Sequence, residues 1–240
     1  MKTKVTTTYL LGLLVMLFCF TACDSASQEP DEPSVDFQPV DMGLPSGTQW
    51  APCNVGANKP EEYGNYYAWG VTEAPQENYD WKHYKYCAGT EYSFTKYCSH
   101  EDEGYNGFVD NKTTLEPMDD AATVNWGGNW RMPTRDEINE LRENCDLSVI
   151  DVNGVSGFQF TSKINGNSIF FPFTGTTIIN PQTPDVYEIS GAGTSTTIWT
   201  SSREEEVSYC GAAMYMRKGM TYQNGGQRNV GCAVRPVWKN

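Results

Sequence analysis

The stretch W-G-G-N-W-R-M-P-T-R-D-E-I-N-E-L at residues 126–141 constrains this chain more tightly than any other. Gly127, Gly128 and Asn129 between Trp126 and Trp130 demand a tight, close-packed turn, and Pro133 pushes Met132 out of helical geometry. Thr134 stands where a helix N-cap belongs. Glu137, three residues on, completes capping-box spacing, in which the threonine hydroxyl accepts the Glu137 N–H and the glutamate reaches back to the Thr134 N–H. Ile138, Leu141 and Cys145 follow at i, i+3 and i+7, so a helix is expected from Thr134 to about Cys145. The segment turns a loop into a helix and reads as scaffold.

Elsewhere from Val35 onward, short apolar or aromatic runs are broken by Gly, Asn, Pro and Thr. Strands are expected at residues 49–55, 66–71, 157–163, 168–173, 198–201, 212–217 and 232–238. Asn153-Gly154 and Asn165-Gly166 are turn dipeptides, the second placed between two of these runs as a hairpin requires. The pattern predicts an α+β domain: one or two helices against a small twisted mixed or antiparallel sheet, with long loops.

The N-terminus carries Lys2 and Lys4, an apolar run from Tyr9 to Phe20, and then Thr21-Ala22-Cys23. That order is a secretory leader over residues 1–22, and the run is short against the ~20 residues of a spanning helix. A cysteine directly after the cut resembles a bacterial lipobox, which implies lipidation of Cys23. Residues 23–35 lack any large apolar side chain except Val35 and predict a flexible acidic tether. The tether resembles surface-export signals of some gram-negative lipoproteins, implying an outer-membrane lipoprotein at the cell surface. The formal charge is −13, and loss of the two leader lysines carries it to −15, so nucleic acid and anionic membrane are repelled and the lipid is the expected membrane contact. Residues 36–240, roughly 200 in number, suffice for one well-buried domain.

Eight cysteines occur. Setting aside Cys19 and Cys23 leaves Cys53, Cys87, Cys98, Cys145, Cys210 and Cys232, for which an exported chain makes disulfides the first reading. The repeated K-Y-C at Cys87 and Cys98 predicts a stapled loop.

V-D-M-G-L-P-S-G-T-Q-W-A-P-C-N-V-G-A at residues 40–57, P-E-E-Y-G-N-Y-Y-A-W-G-V-T-E from Pro60, D-D-A-A-T-V-N-W-G-G-N-W-R-M-P-T from Asp119 and C-A-V-R-P-V from Cys232 occur in that order. Together they resemble the Fibrobacter succinogenes major paralogous domain, a family of exported bacterial domains, over about residues 36–240. The resemblance implies a C-type lectin-like fold, related in architecture to formylglycine-generating enzymes and to the variable proteins of diversity-generating retroelements. It also implies a ligand surface built from the C-terminal part. The shared tryptophans read as apolar anchors, and Arg235 as a partner for an acidic loop residue such as Asp120.

Several chemistries can be weighed. Analogy with formylglycine generation needs a reactive cysteine pair, for which Cys210 and Cys232 are available, although Cys232 lies in an apolar strand that favours a disulfide or buried thiol. His83, Cys87, Cys98 and His100 invite zinc but lack the spacing of common sites. Asp110, Asn111, Glu116, Asp119 and Asp120, with Glu101, Asp102 and Glu103, crowd oxygen ligands as a calcium loop does, without EF-hand order. No G-x-S-x-G elbow is present, and no catalytic residue is assigned. No cofactor is expected beyond that calcium option. The best functional candidate is residues 201–229. Arg203, Tyr209, Tyr215, Arg217, Tyr222, Gln223, Asn224, Gln227, Arg228 and Asn229 combine aromatic area with adaptable hydrogen bonding, as recognition surfaces do. In the retroelement proteins the corresponding region carries the ligand contacts. The expectation is a binding module for a glycan or protein ligand, with a structural or accessory surface protein and a formylglycine-generating-type enzyme as the alternatives.

Overall fold

The computed structural model describes residues 36–180 and 183–238, with residues 179, 180, 183–186 and 222–224 given by their backbone alone. The leader, Cys23 and the tether lie outside the described residues.

The strands are β1 (Gln49–Trp50), β2 (Trp130–Arg131), β3 (Cys145–Val152), β4 (Val155–Ser162), β5 (Ser168–Pro172), β6 (Thr176–Asn180), β7 (Thr183–Ser190), β8 (Ser195–Arg203), β9 (Cys210–Arg217), β10 (Met220–Gln227) and β11 (Val237–Trp238). The helices are α1 (Ala121–Trp126) and α2 (Arg135–Asn144). The α+β expectation holds: every named ladder is antiparallel, in sheets ordered β1-β11-β2, β10-β9-β8, β3-β4-β5 and β6-β7. Among the described residues, no helix is long and apolar enough to cross a membrane.

The opening motif folds as its residues dictate. Asp120 caps α1, its Oδ1 accepting the N–H groups of Ala122 and Thr123, each at 2.9 Å. Gly127 and Gly128, both at positive φ, reverse the chain into β2. Thr134 and Glu137 form the expected capping box at the head of α2. Glu137 is buried and does more than the spacing implies: Arg131 grips it with Nη1 at 2.7 Å and Nη2 at 2.5 Å, and the Thr48 hydroxyl donates to it at 2.9 Å. The helix ends before Cys145, which opens β3. Asn153 and Gly154, both at positive φ, join β3 to β4.

Three of the expected strands are mostly extended loop, residues 232–238 pairing as a strand only at β11. Residues 49–55 pair as a strand only at β1, and residues 66–71 are tied by the isolated bridge Tyr67↔Cys232. β2, β3, β6, β7 and β10 lie outside the expected strands.

Along β8 and β9, neighbouring side chains point to opposite faces. Ile198, Met214 and Met216 enter a core with Trp50, Ile138, Leu141, Phe160 and Phe171. Trp199 and Ala213 enter the other, with Trp69, Tyr97, Trp126 and Trp130. The central sheet is therefore buried on both sides, and its indoles stitch it to the loops: Trp69 Nε1 donates to the Thr200 carbonyl and Trp199 Nε1 to that of Tyr67, both at 2.8 Å.

Arg235 does not pair with Asp120. It is fully buried over the Phe171 ring, and its guanidinium donates to Asn54 Oδ1 at 2.9 Å and to the carbonyls of Phe170 at 2.9 Å and Ala51 at 3.3 Å. Burial lowers its pKa to about 10, partly offset by Cys53. Asp120 is occupied by the α1 cap and by the Met132 N–H.

The cysteines are free among the described residues, so the expected disulfides are absent. Cys87 and Cys98 do not staple their loop. The Cys87 thiol donates to the Trp81 carbonyl at 2.9 Å and that of Cys98 to the His100 carbonyl at 3.2 Å, while an isolated bridge Cys87↔Phe94 closes the loop instead.

Candidate functional site

The C-terminal stretch divides sharply once it is folded. Arg228 is fully buried, with its guanidinium carbon 4.7 Å from the centres of both the Trp69 and Phe94 rings and Nη2 donating to the Tyr97 carbonyl at 2.6 Å. A guanidinium is weakly hydrated and flat, which lets aromatic faces and carbonyls hold it where an ammonium would be too costly. Asn229 is also buried and donates to the Tyr79 carbonyl at 3.1 Å. These two residues are internal braces, which corrects their assignment as ligand contacts. Tyr209 and Tyr215 are half-buried, whereas Arg217 and Gln227 are exposed. The backbones of Tyr222, Gln223 and Asn224 pair with Tyr215, Met214 and Ala213 of β9, and their side chains lie outside the described residues.

Arg203 is buried as well, but it lies at the edge of an open groove of about 250 Å³. Three elements build that groove. Thr113 and Thr114 run along the end of β8, with the Thr113 carbonyl accepting the Arg203 N–H at 2.8 Å and Thr114 bridging Ser202. The first turn of α2 supplies Arg135 and Asp136, and the chain after β8 supplies Glu205. Arg135 Nη2 meets Glu204 Oε2 at 2.8 Å, and the Arg135 N–H donates to Ser202 Oγ at 3.1 Å. Arg203 Nη1 donates to the Glu204 carbonyl at 2.6 Å and Nε to that of Lys112 at 3.3 Å. The result is a concave surface with hydroxyls, both signs of charge, and exposed carboxylates at Asp136 and Glu205. A second, apolar concavity of about 310 Å³ touches the same stretch at Gly219, Met220 and Thr221, against Leu147, Val149 and Phe158.

The acidic loop proposed for calcium is engaged within the protein. Asp110 accepts the N–H groups of Tyr97 and Cys98, each at 2.9 Å. Glu103 is buried and accepts the Ser208 N–H at 2.7 Å. Asp119 accepts the hydroxyls of Tyr86 and, at 2.6 Å, Tyr97, and meets Lys96 Nζ at 2.5 Å, while Lys96 also reaches Glu116 at 2.5 Å. Burial pushes the Asp119 carboxyl up, but Lys96 and the two tyrosines outweigh it and hold it below the ordinary value. His83 pairs with Asp80 at 2.8 Å and does not converge with Cys87, Cys98 or His100. Among the described residues, no three His, Cys, Asp or Glu side chains are grouped to hold a metal.

The thiols are arranged against reactivity. Burial raises Cys210 to about 11, helped by Glu204, and raises Cys232 further, whereas a nucleophilic or redox thiol needs its pKa lowered.

Two features escaped sequence reasoning. The Tyr86–Asp119–Tyr97–Lys96 network brings Asp119 to residues 22–33 positions before it, with no spacing signal. The Arg135 groove depends on residues 113–114 lying beside the end of β8, which only the fold reveals. No protein-family model, no curated protein and no solved structure matches this chain.

Proposed function

We propose that this chain is a lipid-anchored, extracytoplasmic binding module with a C-type lectin-like fold, held at the outer membrane of a bacterium and facing outward. It belongs with the Fibrobacter succinogenes major paralogous domains in this reading. It takes a protein or glycan ligand at the groove beside Arg203. The observation that carries the reading is the groove itself: a concave, solvent-open surface where the start of the C-terminal stretch meets residues 113–114 and the first turn of α2, with paired Arg135 and Glu204 among Thr113, Ser202, Asp136 and Glu205. Interspersed charges of both signs favour a polypeptide segment, since they fix register and reject partners with the wrong pattern. The leader-like residues and Cys23 support the anchor, and the strongly negative charge argues against nucleic acid.

The test is a screen of the purified full-length chain in detergent against protein and glycan arrays, beside a variant carrying Asp136→Ala and Glu205→Ala. Both side chains are exposed, so melting is expected to change little. Binding weakened about tenfold or more in the variant supports the groove, since one charged hydrogen bond contributes ~1.5–3 kcal/mol. Binding unchanged in the variant moves the site elsewhere. Silence across both arrays favours a structural or accessory surface protein.

A further inference from the structure

We infer that a second site, formed where three scaffold loops meet, binds a single uncharged sugar ring. It shares no lining residue with the Arg203 groove and does not rest on it.

The site is a pocket of about 220 Å³. Gly56 and Asn58 come from the loop after β1, Asn65 and Tyr67 from the next loop, and Asn125 from α1, with Phe37 and Trp126 as the apolar wall. Thus the segments N-V-G-A-N, G-N-Y-Y and V-N-W, separate in sequence, converge on one cavity.

The three amides retain hydrogen-bonding capacity that the protein does not use. Asn125 Nδ2 donates to the carbonyls of Thr72 at 2.9 Å and Ala121 at 2.8 Å. Those bonds fix its orientation and leave its Oδ1 without a protein donor among the described residues. Asn65 Nδ2 reaches the Tyr67 hydroxyl at 3.4 Å, and its Oδ1 has no protein donor among the described residues. Asn58 is held through its backbone N–H by Glu62 at 2.7 Å, and its side-chain amide has no protein partner among the described residues. Gly56 sits at φ +84°, and a Cβ there would lie 2.5 Å from Asn65 Cγ and Nδ2, so a glycine is needed to seat that amide.

The chemistry of this lining selects its ligand. Each primary amide presents a donor pair and an acceptor, matching hydroxyls that both donate and accept. No carboxylate, lysine or arginine lines the pocket, so a charged ligand would shed water without gaining a counter-charge. Phe37 is half-buried, its centre 4.8 Å from that of Trp126, and offers the apolar surface that the C–H face of a pyranose requires. The volume falls below the ~300–1,000 Å³ of drug-sized sites, which fits one ring and excludes an engulfed oligosaccharide. The ring can arrive free or as the end of a glycan.

Saturation-transfer NMR on the full-length chain tests this with free glucose, galactose, mannose and N-acetylglucosamine at ~10 mM, a concentration suited to weak single-ring affinities. Glucuronate and glucosamine serve as charged controls, and glycans ending in whichever neutral ring binds form a further arm. At least one neutral sugar is expected to bind, with the charged controls at least tenfold weaker. Asn58→Ala, which removes an exposed amide, should weaken binding about tenfold with melting unchanged, and Gly56→Ala should abolish it. The Asp136→Ala, Glu205→Ala variant should bind the sugar as the parent does. Equal affinity for free ring and glycan end identifies the ring as the recognised unit, and tighter glycan binding places a chain end in the pocket. The inference is overturned if no neutral sugar binds, if the uronate binds equally well, or if Asn58→Ala and Gly56→Ala both bind like the parent. It is also overturned if sugar binding is lost in the groove variant alone, an outcome that leaves the groove reading standing.

Discussion

At residue 228 a cation is held by aromatic rings and backbone carbonyls, and at residue 137 an anion is held by Thr48, Arg131 and the Thr134 N–H. Both stand in the sequence as polar residues whose partners lie far away along the chain. Arg228 sits among Gln227 and Asn229 in a stretch that resembles a binding loop, and nothing in its neighbours announces that Trp69 and Phe94 will close over it. The capping role of Glu137 was legible, because Thr134 and Glu137 are three residues apart; its bond to Thr48 was not, because that contact spans 89 residues. The clamp has a measurable consequence. Burial raises the Glu137 pKa, but the Arg131 bonds, the Thr134 N–H and Thr48 overcome it and leave the group at about 2, below the 4.5 of an unperturbed glutamate. A carboxyl lowered on folding stabilises the native state fully above its unfolded pKa and loses that contribution as pH falls toward 2. The parent should therefore lose roughly 2–3 kcal/mol more than Glu137→Gln between pH 6 and pH 2.5, read by urea midpoints at each pH. Equal losses in the two chains would remove the clamp from the acid response.

Elements were legible in proportion to how much of their instruction is local. Helix α2 carries its cap, capping box and apolar stripe within a dozen residues, and it stands where the sequence places it. The i+7 position of that stripe, Cys145, misleads, because it is buried by β3 and not by another helical turn. Helix α1 is six residues long, too short for periodicity to register, and its signal is the single cap at Asp120. That carboxylate serves three N–H groups, those of Ala122 and Thr123 in the helix and that of Met132 beyond the glycine turn. Asp120→Ala should cost about 2–4 kcal/mol by leaving buried donors unmet, while Asp120→Asn should retain part of the loss because its Oδ1 can still accept. Chemical denaturation of the two variants checks the order. The hairpins around Asn153-Gly154 and Gly166 follow from turn chemistry, whereas the strands expected at residues 49–55 and 66–71 are longer than the pairing that forms there. Their extended residues find pairing partners for one or two positions only, and long-range geometry decides that.

For the molecule as a whole, stability rests on two cores across one central sheet, with thiols acting as small apolar side chains. Alkylation in denaturant without reductant should modify Cys53, Cys87, Cys98, Cys145, Cys210 and Cys232 individually, as read by peptide mass. A cross-linked peptide pair would contradict the structure. In the native protein Cys232, fully buried and held protonated, should be the slowest to react. The position of β11 carries a further consequence. It is the middle strand of its sheet, with β1 on one side and β2 on the other, so Val237 pairs with both Trp50 and Arg131. A chain emerging from a ribosome in order supplies both outer strands long before the strand that unites them, and until then β1 has only its isolated bridge to Val40. Closure of this sheet therefore waits for β11, whereas the ladder β3-β4-β5 upstream of it can pair as soon as its own residues have been made.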